Sequence, residues 1–360
     1  MRARLRHTAA ALAAFALCGL ASAQTVLDLP AADLDAENRD PRLLDVTIHV
    51  FDPGIPKSKA AQQDAGIFRE IREVEASYLP FVLRKTLVDA GDWGVVRVVP
   101  QPDRTAEVQV DATIVASDGV RLSLAVRVTD STGRRWLERR FTQESLNDEI
   151  RFTEPFAALY SEIASSMAAA RDALDERELR AVIEVSGLRY AAELVPEAYA
   201  DYLRVEPDGR QVARRLPARG DPIMARVTRV RQFENLFTDT VDEEYRLLQE
   251  EIAATYNLWC RYRRQMTAYQ QDETQRARNR RNAAPRGSFE AMRRHYDNFK
   301  WSKIQDQQLA QWAEGFNNEV DATVVEVEGR VVELRGDLDA RYQEWRRILR
   351  AIFALETQTP

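Results

Sequence analysis

Seven arginines crowd one short stretch of the sequence: Arg276, Arg278, Arg280, Arg281, Arg286, Arg293 and Arg294. Only Glu290 opposes them between Thr274 and Tyr296. A guanidinium presents a planar fork that matches carboxylate and phosphate oxygens two at a time. On a chain of net charge −6 this is a local basic cap. It suits an anionic surface, such as lipid headgroups or lipopolysaccharide phosphates, or an acidic envelope protein. The plain alternative is a solvated helix tip kept soluble by its charge. No apolar face accompanies the arginines, so deep insertion into a bilayer is not expected.

Other chemistry-bearing residues do not assemble. His49 and His295 are far apart in sequence, and there is no Cys-x₂-Cys or His-Glu-x₂-His spacing to hold zinc. Nucleophile elbows and glycine-rich phosphate loops are missing. Carboxylate pairs such as Glu243-Glu244 and Glu250-Glu251 sit in a heptad pattern, where they read as solvated flanks. The expectation is therefore no enzyme activity, no metal and no cofactor. Cys260 remains. It reads either as a small apolar packing residue or as half of an intermolecular disulfide across a homodimer.

The elements that would carry the arginines are two long heptad helices within 221–355. In the first arm Val241, Tyr245, Leu248, Ile252, Thr255, Trp259, Tyr262, Met266 and Tyr269 follow alternating steps of four and three. That is the 3.5-residue period of a coiled-coil seam. In the second arm Val324, Val327, Val331, Leu334, Leu338, Trp345, Ile348, Ile352 and Leu355 do the same, with Arg341 in one slot. Earlier blocks, Phe289–Phe299 and Leu309–Phe316, are out of phase and imply stutters. Pro285 and Gly287 break the helix between the arms, near 282–288, and Ser288 can cap the next. Arms of about 60 residues predict a hairpin roughly 90 Å long. The wide aromatic seam calls for a thick hairpin, a third helix or a second copy of the chain.

The chain opens with Arg2, Arg4 and Arg6, an apolar run to Leu20, and Ala21-Ser22-Ala23. This is the pattern of a secretory signal peptide cleaved before Gln24. Lipidation at Cys18 would want a small residue where Leu17 stands. Cleavage removes three arginines and no acid, leaving 48 basic against 57 acidic residues, near −9. That balance argues against nucleic acid as a partner. No later stretch is apolar enough to span a membrane. The composition looks bacterial, and the expected compartment is the periplasm.

Residues 24–43 read as a leader and 44–145 as a small α+β domain. Strands are predicted at Leu44–Phe51, Val95–Val99, Glu107–Ala116, Val120–Thr129 and Arg134–Thr142. A helix is predicted at Ile67–Ala90, kinked or split at Pro80 and stopped by Gly91. The clearest strand alternates Val120, Leu122, Leu124, Val126 and Val128 with polar residues, one face buried and one wet. Three phrases follow the helix end Leu-Val-Asp-Ala-Gly91: Val-Val-Arg-Val-Val99, Val-Gln-Val-Asp-Ala-Thr-Ile114 and Val-Arg-Val-Thr-Asp-Ser-Thr-Gly133. Residues 44–142 thereby resemble a group of envelope α/β domains: the amino-terminal domain of TolB, CsgG-like curli secretion subunits and penicillin-binding-protein activator lipoproteins. The resemblance implies a domain that oligomerises or docks on partners rather than one that catalyses.

Residues 150–218 read as a helical neck bracing the arms against this domain, with a hairpin turn at Glu206-Pro-Asp-Gly209. The whole reads as an exported interaction or scaffold protein presenting a hairpin with a basic tip. The alternatives are a self-assembling envelope component and a periplasmic enzyme with a cleft site.

Overall fold

A computed structural model describes residues 39–64, 66–100, 102–145 and 154–281. The second arm, the break at 282–288, the signal segment 1–23 and residues 24–38 of the leader lie outside the described residues. The architecture is α+β, a mixed five-stranded sheet with helices. The strands are β1 (Val46–His49), β2 (Val96–Val99), β3 (Val108–Ser117), β4 (Arg121–Asp130) and β5 (Arg135–Glu144), in the order β2-β1-β3-β4-β5. β1 runs parallel to both β2 and β3, while β3, β4 and β5 form an antiparallel meander. Glycines close the meander turns: Gly119 and Gly133 adopt φ of +81° and +86°, which residues with a Cβ avoid.

The helices are α1 (Lys59–Asp64), α2 (Arg69–Ala90), α3 (Ala157–Asp172), α4 (Glu176–Leu194), α5 (Pro196–Tyr199) and α6 (Pro222–Arg281). A small hairpin of β6 (Leu203–Val205) and β7 (Gln211–Ala213) links α5 to α6. Val108, Val110, Ile114, Leu122, Leu124, Val126 and Val128 bury one face of the sheet in a core shared with α2 and α3. The opposite face is polar, with Arg127 paired to Glu138 across β4 and β5 at 2.9 Å.

Pro80 does not split α2, which runs unbroken through it. Proline has no amide hydrogen for the carbonyl four residues back, Ala76. The Phe51 amide takes that acceptor at 2.9 Å, tying the end of the β1 segment to the helix. The missing helical bond is replaced by a tertiary one, which offsets the usual cost.

Within 150–218, α3 and the first half of α4 share the core of the sheet. Phe156, Leu159, Tyr160, Ile163, Met167, Leu179 and Val182 belong to the same core as the sheet. α4 opens with a reciprocal cap between Asp175 and Glu178. Its carboxyl-terminal half forms a second cluster with the start of α6, through Tyr190, Ala191, Val195, Tyr199, Val227 and Val230.

α6 is a single helix of 60 residues. It does not stand clear of the α/β domain. Arg231 reaches the Thr105 carbonyl before β3, and Arg263 reaches the Asp118 carbonyl after it. Those 32 helical residues span about 48 Å at 1.5 Å each, close to the roughly 43 Å of 13 extended residues. The helix therefore runs alongside the sheet for the length of β3. Beyond Arg264, the last buried side chain, none of the described side chains is buried. Among the described residues, the last 17 of α6, about 25 Å of helix, thus carry no side chain buried on the domain.

Candidate functional site

The clearest constellation is the clamp that holds α6 on the domain. It begins with Arg72 on α2, whose exposed fraction is 2%. Its guanidinium donates to the carbonyls of Pro53 (3.2 Å), Ile114 (3.1 Å) and Ser117 (3.2 Å), and lies 3.3 Å from Glu75 one turn along. Glu75 also accepts the Ser117 hydroxyl and, at 3.0 Å, the Tyr256 hydroxyl from α6. Burial pushes the Glu75 carboxyl above the ordinary carboxylate value; Ser117, Arg72 and Tyr256 oppose that rise. One buried carboxylate thus joins α2, the end of β3 and α6.

Aromatic packing surrounds it. The Tyr78 and Tyr256 rings lie 5.4 Å apart, and Tyr256 and Trp259 5.6 Å. Trp259 and Arg263 press on Gly119, where a Cβ would come within 2.7 Å of Arg263 carbons. The Tyr78 hydroxyl donates to Glu154 at 3.3 Å. Burial raises Glu154 to about 7, against the Phe156 amide and Tyr78 hydroxyl that lower it. Arg264 closes the clamp with a 3.1 Å bond to Ser145.

Cys260 lies inside this clamp, a free thiol with no exposed area, in the core with Tyr256 and Trp259. Burial raises its thiol well above its ordinary value. A sulfur so placed cannot reach a second chain while α6 is docked, so of the two readings of Cys260 the packing one matches its position. Tyr256 lies off the seam read from the sequence. The face of α6 that meets the domain is set by Tyr256, Trp259, Cys260 and Arg263, while Leu258 and Tyr269 are exposed at 53% and 45%.

A second grip lies toward the start of α6. Arg231 bonds the Ser186 hydroxyl (2.9 Å) and the Thr105 carbonyl (3.1 Å), and Tyr190 donates to Glu234 at 2.8 Å. Arg97 on β2 forks onto Asp239 at 2.7 and 2.9 Å. Between them is a cleft of about 30 Å³ lined by Asp45, Glu107, Arg97, Arg231 and Glu234. That is room for about two waters. Arg39 spans Asp45 and Glu107 at 2.7 and 2.9 Å, and burial beside Asp45 raises the Glu107 carboxyl.

His49 is structural in its contacts. Its Nδ1 faces Asp111 at 2.7 Å, and its Nε2 accepts the Asp103 amide at 3.2 Å. The bond from His49 lowers the Asp111 carboxyl below the usual range. Among the described residues no group of His, Cys, Asp and Glu is placed to hold a metal ion. Among them, too, no helix is long and apolar enough to cross a membrane.

Of the seven arginines, Arg276 is exposed and bound to acids on its own helix, Asp272 at 2.7 Å and Glu273 at 3.3 Å. These two acids sit just before the stretch that looked unopposed in the sequence. Arg278 is exposed. Arg280 and Arg281 belong to α6. Arg286, Arg293 and Arg294 lie outside the described residues.

No family model matches the chain, and no curated protein matches it. Among solved structures, a dodecamer of a PelC variant from Paraburkholderia phytofirmans aligns with 36% of this chain and 86% of its own, at 14% identity. Its TM-score is 0.20, and the likeness carries no argument about function.

Proposed function

We propose that the protein is an exported, periplasmic scaffold of the bacterial envelope, without catalytic activity, in which the α/β domain holds a long helix and presents its far end to a partner. The observation that carries this reading is the doubled grip on α6. Two polar networks, one joining Glu75 to Tyr256 and one around Arg231, fix the helix at points 25 residues, or about 38 Å, apart. A helix anchored twice has a defined direction, and its last 17 residues carry Arg276, Arg278, Arg280 and Arg281 away from the anchor. The hairpin read from the heptads would return from there, bringing Arg286, Arg293 and Arg294 to the same end. The partner is an acidic envelope protein or an anionic lipid surface.

The test is photo-crosslinking in cells from a probe replacing Arg278, with one at exposed Arg121 on β4 for comparison. Capture of one discrete protein or lipid from position 278 supports the reading. Capture from position 121 alone would move the function to the sheet and leave the helix as a spacer.

A further inference from the structure

We propose that α6 carries a second apolar row, separate from the one buried on the domain, and that residues 301–316 of the same chain dock on it. The proposal rests on the hairpin reading above and names its contact. At 100° per residue, Tyr256, Trp259, Cys260 and Arg263 centre on the face that meets the domain. Leu258, Met266 and Tyr269 centre about 115° away around the helix. Leu258 and Tyr269 are among the exposed large hydrophobics, at 53% and 45%, and Met266 is half-buried. Tyr262 falls in the same row, four residues from each neighbour.

What fits that row is fixed by where the chain goes next. Residues 282–360 follow the described part of α6, with Pro285 and Gly287 shortly after Arg281 in the sequence. A chain that reverses about residue 285 returns antiparallel, with positions equally far before and after it facing each other. Tyr269 then faces Trp301, Met266 faces Ile304 and Leu258 faces Trp312, each pair equidistant from 285. Tyr262 and Thr255 face Leu309 and Phe316 to within one residue. All five partners are large and apolar. Their steps of three, five, three and four keep them within about 140° of helical arc. A second copy could also lie on the row, with Leu258 against Tyr269. It would make fewer such contacts, and it lacks the millimolar effective concentration of a tethered segment.

The experiment places a benzophenone amino acid at Tyr269 and, in a separate protein, at Leu258. Each purified full chain is mixed with an isotopically heavy copy, irradiated and mapped by peptide mass spectrometry. Both positions are exposed, and unchanged unfolding midpoints verify that the variants fold. The expected adducts lie within one turn of Trp301 from position 269 and within one turn of Trp312 from position 258, both in the light chain. Moving the probe 11 residues back along α6 thus moves the adduct 11 residues forward. Adducts to the heavy copy would give the row to a second chain. Adducts in 324–355, or none at all, would also overturn the proposal. A partner captured at position 278 in cells together with a failed map would leave the scaffold reading standing and remove only this contact.

Discussion

The Tyr256 hydroxyl on α6 donates to the Glu75 carboxylate on α2 across 3.0 Å, and both residues are about 1% exposed or less. This bond crosses between elements 181 residues apart in sequence. Replacing Tyr256 by Phe keeps the ring against Tyr78 and Trp259 and removes only the donor. Glu75 keeps Ser117 and Arg72, so the loss should be about 1–2 kcal/mol. Urea unfolding should show a lower midpoint with an unchanged slope. A drop in slope would mean that α6 already detaches in the variant before the domain unfolds.

Acidity should strengthen the clamp. The Glu154 carboxyl is raised from 4.5 to about 7. A raised carboxyl adds stability that is fully present below about 4.5 and lost as pH rises through 7. Full linkage across that window would be about 3 kcal/mol; Glu154 is half-buried as a residue, and screening brings the expectation to roughly 2 kcal/mol. Glu75 and Glu107 are raised and act in the same direction. Asp111 is lowered, so its contribution is lost only in more acid solution, below 3.8. Unfolding free energy measured from pH 4.5 to 7.5 should fall, and Glu154→Gln should flatten the slope. A slope unchanged in that variant would assign the pH dependence elsewhere.

The sheet was open to reading because one physical rule governs it. Val120, Leu122, Leu124, Val126 and Val128 alternate with polar residues, and β4 runs Arg121–Asp130 with that face in the core. The start of α6 was equally legible, predicted from residue 221 and found at Pro222. Its packing was not. Heptad spacing identifies apolar rows on a helix but does not say which row meets which neighbour. Tyr256 sits off the 3.5-residue row and is the most buried of the described tyrosines on the helix because Glu75 and Tyr78 stand opposite it on α2. That complementarity depends on pairs distant in sequence, to which a periodicity is blind. The Arg276 pairing was missed for a narrower reason: its acids lie three and four residues back, at helical reach but outside the basic stretch.

Gly119 is the point where the sheet makes room for α6. Its φ is +81°, and a Cβ there would meet Arg263 carbons at 2.7 Å and Trp259 at 3.3 Å. Gly119→Ala combines left-handed strain of about 1–2 kcal/mol with an overpacking cost of about 1–3 kcal/mol. The helix should yield before the turn does. Hydrogen exchange should therefore quicken in the α6 amides around Tyr256–Arg264, with the β3 and β4 amides keeping most of their protection. Uniform loss across sheet and helix would show that α6 and the sheet open as one unit.

Cys260 reports on the same docking without any substitution. A thiol reacts as its thiolate, and here burial both hides the sulfur and raises its titration well above the ordinary value. Native protein at pH 8 should react with an aromatic disulfide reagent at least about a hundredfold more slowly than protein in concentrated urea, because reaction waits for α6 to lift. Non-reducing electrophoresis should show no disulfide-linked dimer after mild oxidation. Tyr256→Phe should speed the labelling by roughly fivefold to thirtyfold if the 1–2 kcal/mol of that bond holds the helix down. Fast labelling of the native protein, or a covalent dimer, would mean that α6 leaves the domain readily and that the clamp is one of two states of the helix.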